Sequence, residues 1–306
     1  FEVRTFRSDE AYVDGRRPTG VVFTDARQDV LRRDFTINGL LYDPEEDKII
    51  DYVNGQADIQ AGIVRAIGDP RKRFEEDKLR ILRAIPFGAR FGYRIEPVTW
   101  SAVREMAPQI HQVSTERVRE ELVRILTEGQ AARGMRMMEE SGLSYAILPE
   151  LEWTEHIQRS LEVLSAGSNP DFAVGVLLHE TAQGDVRGIV ERLKFSRAEM
   201  HHVIALVESL PDFSGIRQMS ASKLKRFFRA ARFEEHLDLA RIHAIAARGD
   251  FDDYNYALGK YQEWTKDDIA PHPLITGEDL IAIGFRPGPV FKKILVDIED
   301  EQLEGR

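Results

Sequence analysis

Arg32-Arg33-Asp34-Phe35-Thr36-Ile37-Asn38 and, further along the chain, Glu75-Glu76-Asp77-Lys78-Leu79-Arg80-Ile81-Leu82-Arg83-Ala84 are the stretches on which fold and chemistry turn. Each sets charged or amide side chains between apolar ones, as is needed to hold a phosphorylated ligand against a core. In the first, Arg33 can fork onto phosphate oxygens, and Asp34 and Asn38 can bond sugar hydroxyls or order the loop. Taken alone, the same stretch also reads as a helix start with Asp34 as its cap. In the second, Asp77, Arg80 and Arg83 are spaced three apart on a helix expected over 73–84, which aligns them in a drifting row along one side. A carboxylate beside a guanidinium presents acceptor and donor together, like the edge of a base. Asp77 would accept from the exocyclic amine shared by cytosine and adenine, and Arg80 would donate to the adjacent ring acceptor. Uracil and guanine place a carbonyl where the amine should be, and the carboxylate would repel it. An isolated pair at this spacing is otherwise a solvated ion pair worth ~0.2–0.5 kcal/mol.

Working outward, residues 1–68 look like mixed strand and loop. Phe1 to Phe6 alternates like a strand, Val21-Val22-Phe23 is a short apolar run, and Lys48 to Val53 and Ile63 to Ile67 are two more. A polar, Gly- and Pro-bearing segment from Ser8 to Thr19 suits a loop. From Pro70 the pattern turns helical. Ser114 precedes an amphipathic run with Val118, Leu122, Ile125 and Leu126 on one face. Further helices are expected at 133–141, 158–166, 172–181, 186–194, 198–209, 221–230 and 234–247. Thr276 and Asp279 form a capping box, Gly284 ends that helix, and Pro287-Gly288-Pro289 starts another.

The two opening stretches together resemble the nucleotide-binding motifs of the class II tRNA nucleotidyltransferases and bacterial poly(A) polymerases, and the resemblance covers most of the chain. It implies an α/β head with a nucleotidyltransferase-type sheet, followed by an all-α elongated neck, body and tail. The expected divisions are 1–68 (head), 69–140 (neck with the nucleotide-selecting motif), 141–235 (body) and 236–306 (tail, binding tRNA). It implies metal-dependent addition of C and/or A to the tRNA 3′ end without a nucleic-acid template, with ATP and CTP as substrates and Mg²⁺ as cofactor. Arg33, Asp34 and Asn38 would then contact the nucleotide, Asp77 and Arg80 would be the protein template, and Arg83 would complete the site. Asp51 to Gly55, Asp58-Ile59 and Arg65 to Pro70 also match, with structural work. Ser114 would cap its helix, and Arg117 or Glu120 would brace the neck.

Two departures stand against that pattern. The glycine-rich turn and Asp-x-Asp pair that bind the catalytic metals in the resembled family are not visible. The chain therefore reads as cut inside a sheet, with the metal ligands upstream of Phe1, no catalytic residue in view and residues 1–306 an inactive fragment. Glu2 is the one weak metal candidate. Where a further arginine is expected, Pro86 stands, and it is expected to kink or end the helix.

Net charge is −10, which argues against indiscriminate nucleic-acid binding. Residues 1–110 are nearly neutral, and the remainder carries nearly all the excess. Arg217 to Arg232 is an exception, basic and free of acids. Lys223, Lys225, Arg226 and Arg229, with the helix N-terminus at Gly288, are the expected RNA contacts. No cysteine and no run of ~18 apolar residues occur, so disulfides are excluded and no membrane partner is expected. The cytoplasm is the expected home; oligomeric state is left open. Leu177-Leu178-His179-Glu180 invites a metal-hydrolase reading, but a second His-Asp pair is lacking. Poly(A) synthesis, a non-catalytic RNA-binding relative and a helical scaffold are the competing functional classes.

Overall fold

Short apolar runs separated by turn residues make strand pairs, and a 3.6-residue period makes helices. Both occur here in the expected order. The computed structural model describes residues 6–9, 21–23 and 25–305. The strand expected over 1–6, the loop between Ser8 and Thr19, and Glu2 fall wholly or largely outside them.

Two compact units divide the chain at Ile204/Ala205. The first opens with β1 (Arg7–Asp9) antiparallel to β2 (Val21–Phe23), then α1 (Ala26–Leu31). Next, β3 (Leu40–Asp43) and β4 (Lys48–Asp51) form a hairpin with Leu40 opposite Asp51. α2 (Gly55–Ala61) leads to β5 (Ile63–Val64). After α3 (Pro70–Glu76) and α4 (Leu79–Arg90), β6 (Arg94–Ile95) runs parallel to β5. The remainder is helical: α5 (Pro97–Met106), α6 (Thr115–Thr127), α7 (Ala131–Ser141), α8 (Leu143–Ile147), α9 (Glu155–Val163), α10 (Pro170–Leu178) and α11 (Gln183–Arg192). The division falls inside α12 (Arg197–Ser209). A small strand-bearing head followed by an all-α chain is thus the observed class.

The core of the first unit is built on α4, which packs against α6 and α7. Ile81, Leu82 and Ile85 of α4, Leu122, Ile125 and Leu126 of α6, and Met135 and Met138 of α7 are fully buried. Gly134 lets α7 approach closely: a Cβ there would sit 2.5 Å from Cγ2 of Ile125.

The second unit continues with α13 (Ala221–Phe228), α14 (Phe233–Ala247), α15 (Asp252–Glu263), α16 (Lys266–Ile269), α17 (Gly277–Ala282) and α18 (Pro289–Glu304). Phe213, Phe228, Phe233 and Leu237 anchor its own core. The capping box of Thr276 and Asp279 forms as expected, and Gly284 follows the helix at φ 98°.

Three expectations need correction. The helix expected over 73–84 is two helices, because Asp77 adopts an extended backbone (φ −145°, ψ 105°) between α3 and α4. Its Oδ1 accepts from Leu79 N–H at 3.1 Å and its Oδ2 from Arg117, so the side chain serves the joint. Pro86 does not end α4, which runs on to Arg90. Its missing N–H forfeits one ladder bond, and the residue is buried, so packing holds the helix together. The expected boundary between 235 and 236 falls within α14, a continuous helix.

Candidate nucleotide-binding site

The first motif is held by main-chain bonds to the segment that follows β5. Phe35 forms an isolated antiparallel bridge with Ala66. Thr36 N–H donates to Arg65 O at 2.9 Å, and Ile67 N–H to Asp34 O at 3.0 Å. Phe35 is fully buried, and its ring meets Phe87 of α4 edge-on, with centroids 5.7 Å apart. A trio locks the floor, with Thr36 and Asp58 buried and Arg65 partly exposed. Thr36 Oγ1 donates to Asp58 at 2.7 Å, and Arg65 Nε donates to the same carboxylate at 3.0 Å. Gly55 closes the loop, since any Cβ there would overlap the carbonyl of Thr36.

On this scaffold the sequence-predicted residues come together at one place. Asp34 is buried. Its Oδ1 accepts from Phe35 N–H at 2.8 Å and from Asn38 Nδ2 at 3.0 Å. Its Oδ2 lies 2.9 Å from Nη2 of Arg83 on α4, close enough to pair electrostatically though not aligned as a hydrogen bond. Arg33 donates through Nη1 to Asn38 O at 2.8 Å and through Nη2 to Asp29 at 2.9 Å. Arg80 is nearly buried. It donates to Glu76 at 2.7 Å, to Arg73 O at 3.1 Å and to Arg32 O at 3.0 Å. Thus Arg33, Asp34, Asn38, Arg80 and Arg83 share one network. Asp77 stands beside it, bonded to Arg117 Nη2 at 2.8 Å rather than to Arg80. Because the helix breaks at Asp77, Asp77 and Arg80 do not form the single-helix row expected from their spacing.

Several members of this network escaped the sequence reading. Asp29, on α1, takes both Arg32 and Arg33. Arg73 donates to Ile67 O at 2.9 Å, to Glu76 at 2.8 Å and to the Leu31 carbonyl. Glu121 of α6 is buried, with its pKa pushed up chiefly by burial while Arg124 and Arg83 pull it down. The i,i+4 spacing of Asp29 and Arg33 was the available signal for the first. Arg73 and Glu121 each have an i,i+3 partner, Glu76 and Arg124, but their links to Leu31 and Arg83 cross tens of residues and leave no local pattern.

In the second unit, Lys225 donates to Leu303 O at 2.7 Å and lies over the Trp264 ring. Arg226 pairs with Glu299 at 2.7 Å and Asp300 at 2.5 Å, and Arg229 pairs with Glu299 at 2.6 Å. Lys223 is exposed. Gly288 precedes α18 with an extended φ of 173°. The basic stretch is therefore largely engaged by the acidic face of α18.

Mg²⁺ asks for several oxygen ligands in near-octahedral geometry. Among the described residues no three carboxylates converge within ligating distance. Asp29, Asp34, Asp58, Glu76 and Asp77 each face a guanidinium. These residues do not fit the metal, and no step is assigned through it. No helix among the described residues is long and apolar enough to cross a membrane.

Residues 1–65 match the family described as "Poly A polymerase head domain", residues 92–154 "Probable RNA and SrmB-binding site of polymerase A", and residues 172–306 "tRNA nucleotidyltransferase domain 2". The chain belongs to the class II tRNA nucleotidyltransferases, a family of enzymes. Among its relatives, the CCA-adding enzyme of Streptococcus suis is 30% identical over 315 residues, covering 100% of this chain and 75% of the relative. That of Levilactobacillus brevis is 29% identical over 310 residues, covering 100% and 76%. The crystal structure of the Bacillus stearothermophilus CCA-adding enzyme in complex with CTP is similar, with TM-score 0.79 and 25% identity over 99% of this chain and 74% of that one. The Thermotoga maritima CCA-adding enzyme complexed with tRNA shares the fold, with TM-score 0.62 and 22% identity over 92% and 70%.

Proposed function

We propose that this protein adds C, A or both to the 3′ end of tRNA, taking CTP and ATP and using no nucleic-acid template. The main support is the meeting of the two motifs, with Arg83 at 2.9 Å from Asp34 and Arg80 donating to Arg32 O at 3.0 Å. The similar Bacillus stearothermophilus enzyme carries CTP, and relatives are CCA-adding enzymes. Arg33 keeps N–H groups beyond those its present bonds use, since a guanidinium has five. These suit phosphate oxygens, while Asp34 and Asn38 face the sugar.

Asp77 and Arg80 select the base by exchange of partners. Asp77 must leave Arg117, and Arg80 must leave Glu76, to meet a base edge. A base that offers both an amine and a ring acceptor replaces both lost bonds. Uracil or guanine replaces neither well and leaves a charged group unpaired, at a cost of about 1–3 kcal/mol.

RNA phosphates would meet Lys223, Lys225, Arg226, Arg229 and the α18 N-terminus at Gly288, with tRNA as the partner. Mg²⁺-dependent transfer is part of the same proposal, with no described residue as ligand.

The test is calorimetric binding of ATP, CTP, UTP and GTP to residues 1–306, beside labelled-nucleotide incorporation on a tRNA lacking its CCA end. Preference for ATP and CTP supports the site, and equal binding of all four sinks it. Incorporation of C or A on that tRNA supports the transfer reading. A second reading, poly(A) synthesis, is favoured by the head-domain match of residues 1–65. Long A tails on RNAs unrelated to tRNA would establish it instead.

A further inference from the structure

Arg32 and Arg33 are adjacent like charges at the C-terminal end of α1, and one buried carboxylate holds both. Asp29 Oδ1 accepts from Arg32 Nε at 3.1 Å and Nη2 at 2.5 Å, and Oδ2 accepts from Arg33 Nε at 3.2 Å and Nη2 at 2.9 Å. Asp29 is only 4% exposed. Each arginine thus lays its Nε/Nη2 edge on its own oxygen, so both guanidinium planes are fixed by one side chain. The Asn38 carbonyl at 2.8 Å completes the clamp on Arg33. The same turn carries the second arm of the site, because the Arg32 carbonyl accepts from Arg80 and the Leu31 carbonyl from Arg73.

We infer that Asp29 is a positioning residue for nucleotide binding. It orients Arg33 toward the triphosphate and steadies the α1 turn on which Arg80 is anchored. It touches no nucleotide itself; without it, two neighbouring guanidiniums repel and swing toward water. Removing one carboxylate also makes the local field more positive, which alone would tighten triphosphate binding. The lost orientation outweighs that gain.

This rests on the nucleotide-site assignment of Arg33, so the experiment separates the two. ATP and CTP binding to residues 1–306 is measured by calorimetry for Asp29→Asn, Arg33→Ala and the double variant, with thermal melting as a folding control. Asp29→Asn keeps the size of the side chain and serves as the main probe; Asp29→Glu, which restores the charge at a longer reach, is the rescue variant. The expected result is that Asp29→Asn weakens ATP and CTP alike by about tenfold, as loss of a charged hydrogen bond does. In the Arg33→Ala background it should add only the smaller part that acts through the α1 turn and Arg80, and Asp29→Glu should recover part of the loss. If Arg33→Ala itself leaves binding unchanged, the site assignment fails. If Arg33→Ala weakens binding while Asp29→Asn leaves it equal or tighter, or adds its full effect to Arg33→Ala, the positioning role is overturned.

Discussion

Two arginine-rich regions of this molecule divide their donors between carbonyls and carboxylates in different proportion. Around the joint of α3 and α4, Arg33, Arg73 and Arg80 donate heavily to main-chain carbonyls, those of Asn38, Ile67, Leu31, Arg73 and Arg32. Asp29 and Glu76 also pair with these arginines, so carboxylates offset part of the charge while the carbonyls aim the remaining donors. Between α13 and α18, Arg226 and Arg229 share Glu299, and Arg226 also meets Asp300. There carboxylates take most of the donors, beside the carbonyls of Ile269 and Val296. The difference teaches that a basic stretch in a sequence measures neither availability nor potential; the partner decides both.

The sharpest way to break this contrast is to truncate one arginine from each region. Arg80→Ala strips a nearly buried donor from two carbonyls and from Glu76. It is expected to cost about 1–3 kcal/mol of stability and to relax discrimination against UTP and GTP by tenfold to a hundredfold. Arg226→Ala removes a half-exposed pair and should cost under about 1 kcal/mol. Thermal melts and four-nucleotide binding profiles check both; equal losses would erase the distinction.

Smaller effects come from releasing the second region rather than removing it. Glu299→Gln with Asp300→Asn frees Arg226 and Arg229. If these residues meet RNA, tRNA binding should tighten severalfold with a steeper salt dependence. Lys225→Glu with Arg226→Glu and Arg229→Glu should weaken it and flatten the slope, with ATP affinity unchanged. Gel-shift titrations over a salt series read both; an unchanged slope in both variants would reduce the stretch to an internal brace.

Acidification should move the regions apart. Hydrogen bonds from Arg229 and Arg226 hold Glu299 below its usual range. Its contribution is therefore complete above the unfolded value near ~4.3 and is lost as pH falls through the lower folded value. Glu121 is shifted the other way, chiefly by burial. Its charge destabilises the fold at neutral pH, and protonation on the way down relieves that strain. Glu299→Gln should thus lower the melting temperature at pH 7 and not at pH 3, whereas Glu121→Gln should raise it at pH 7 with the gain vanishing in acid. The smallest effect is expected for exposed Lys223→Ala, with stability unchanged within ~0.5 kcal/mol.

Much of this was legible in the sequence because it is local. The capping box at Thr276 and Asp279, the helix after Ser114 and the short strand at Val21–Phe23 all follow from neighbours in the chain. What was missed is set by distant partners. Asp77 sits at the helix break with its carboxylate shared between Leu79 N–H nearby and Arg117 on α6, forty residues on. Pro86 stays within α4 because surrounding side chains bury it. The basic stretch looked free because Glu299 and Asp300 lie far along the chain. Asp29 is the exception: its spacing to Arg32 and Arg33 is local, and only the fold shows both pairs made by one buried carboxylate.

α4 bears Arg80 and Arg83 on the same rod as Ile81, Leu82 and Ile85, whose side chains are wholly enclosed. A slip of one residue would turn that rod by about 100°, so the aliphatic layer acts as the detent that sets the angle of both arginines. The tolerance of the proposed base choice is then a machining tolerance, ground into a layer of hydrocarbon that never meets a nucleotide. A cavity such as Leu82→Ala would blur the choice by adding angular play, even with every polar group of the site intact.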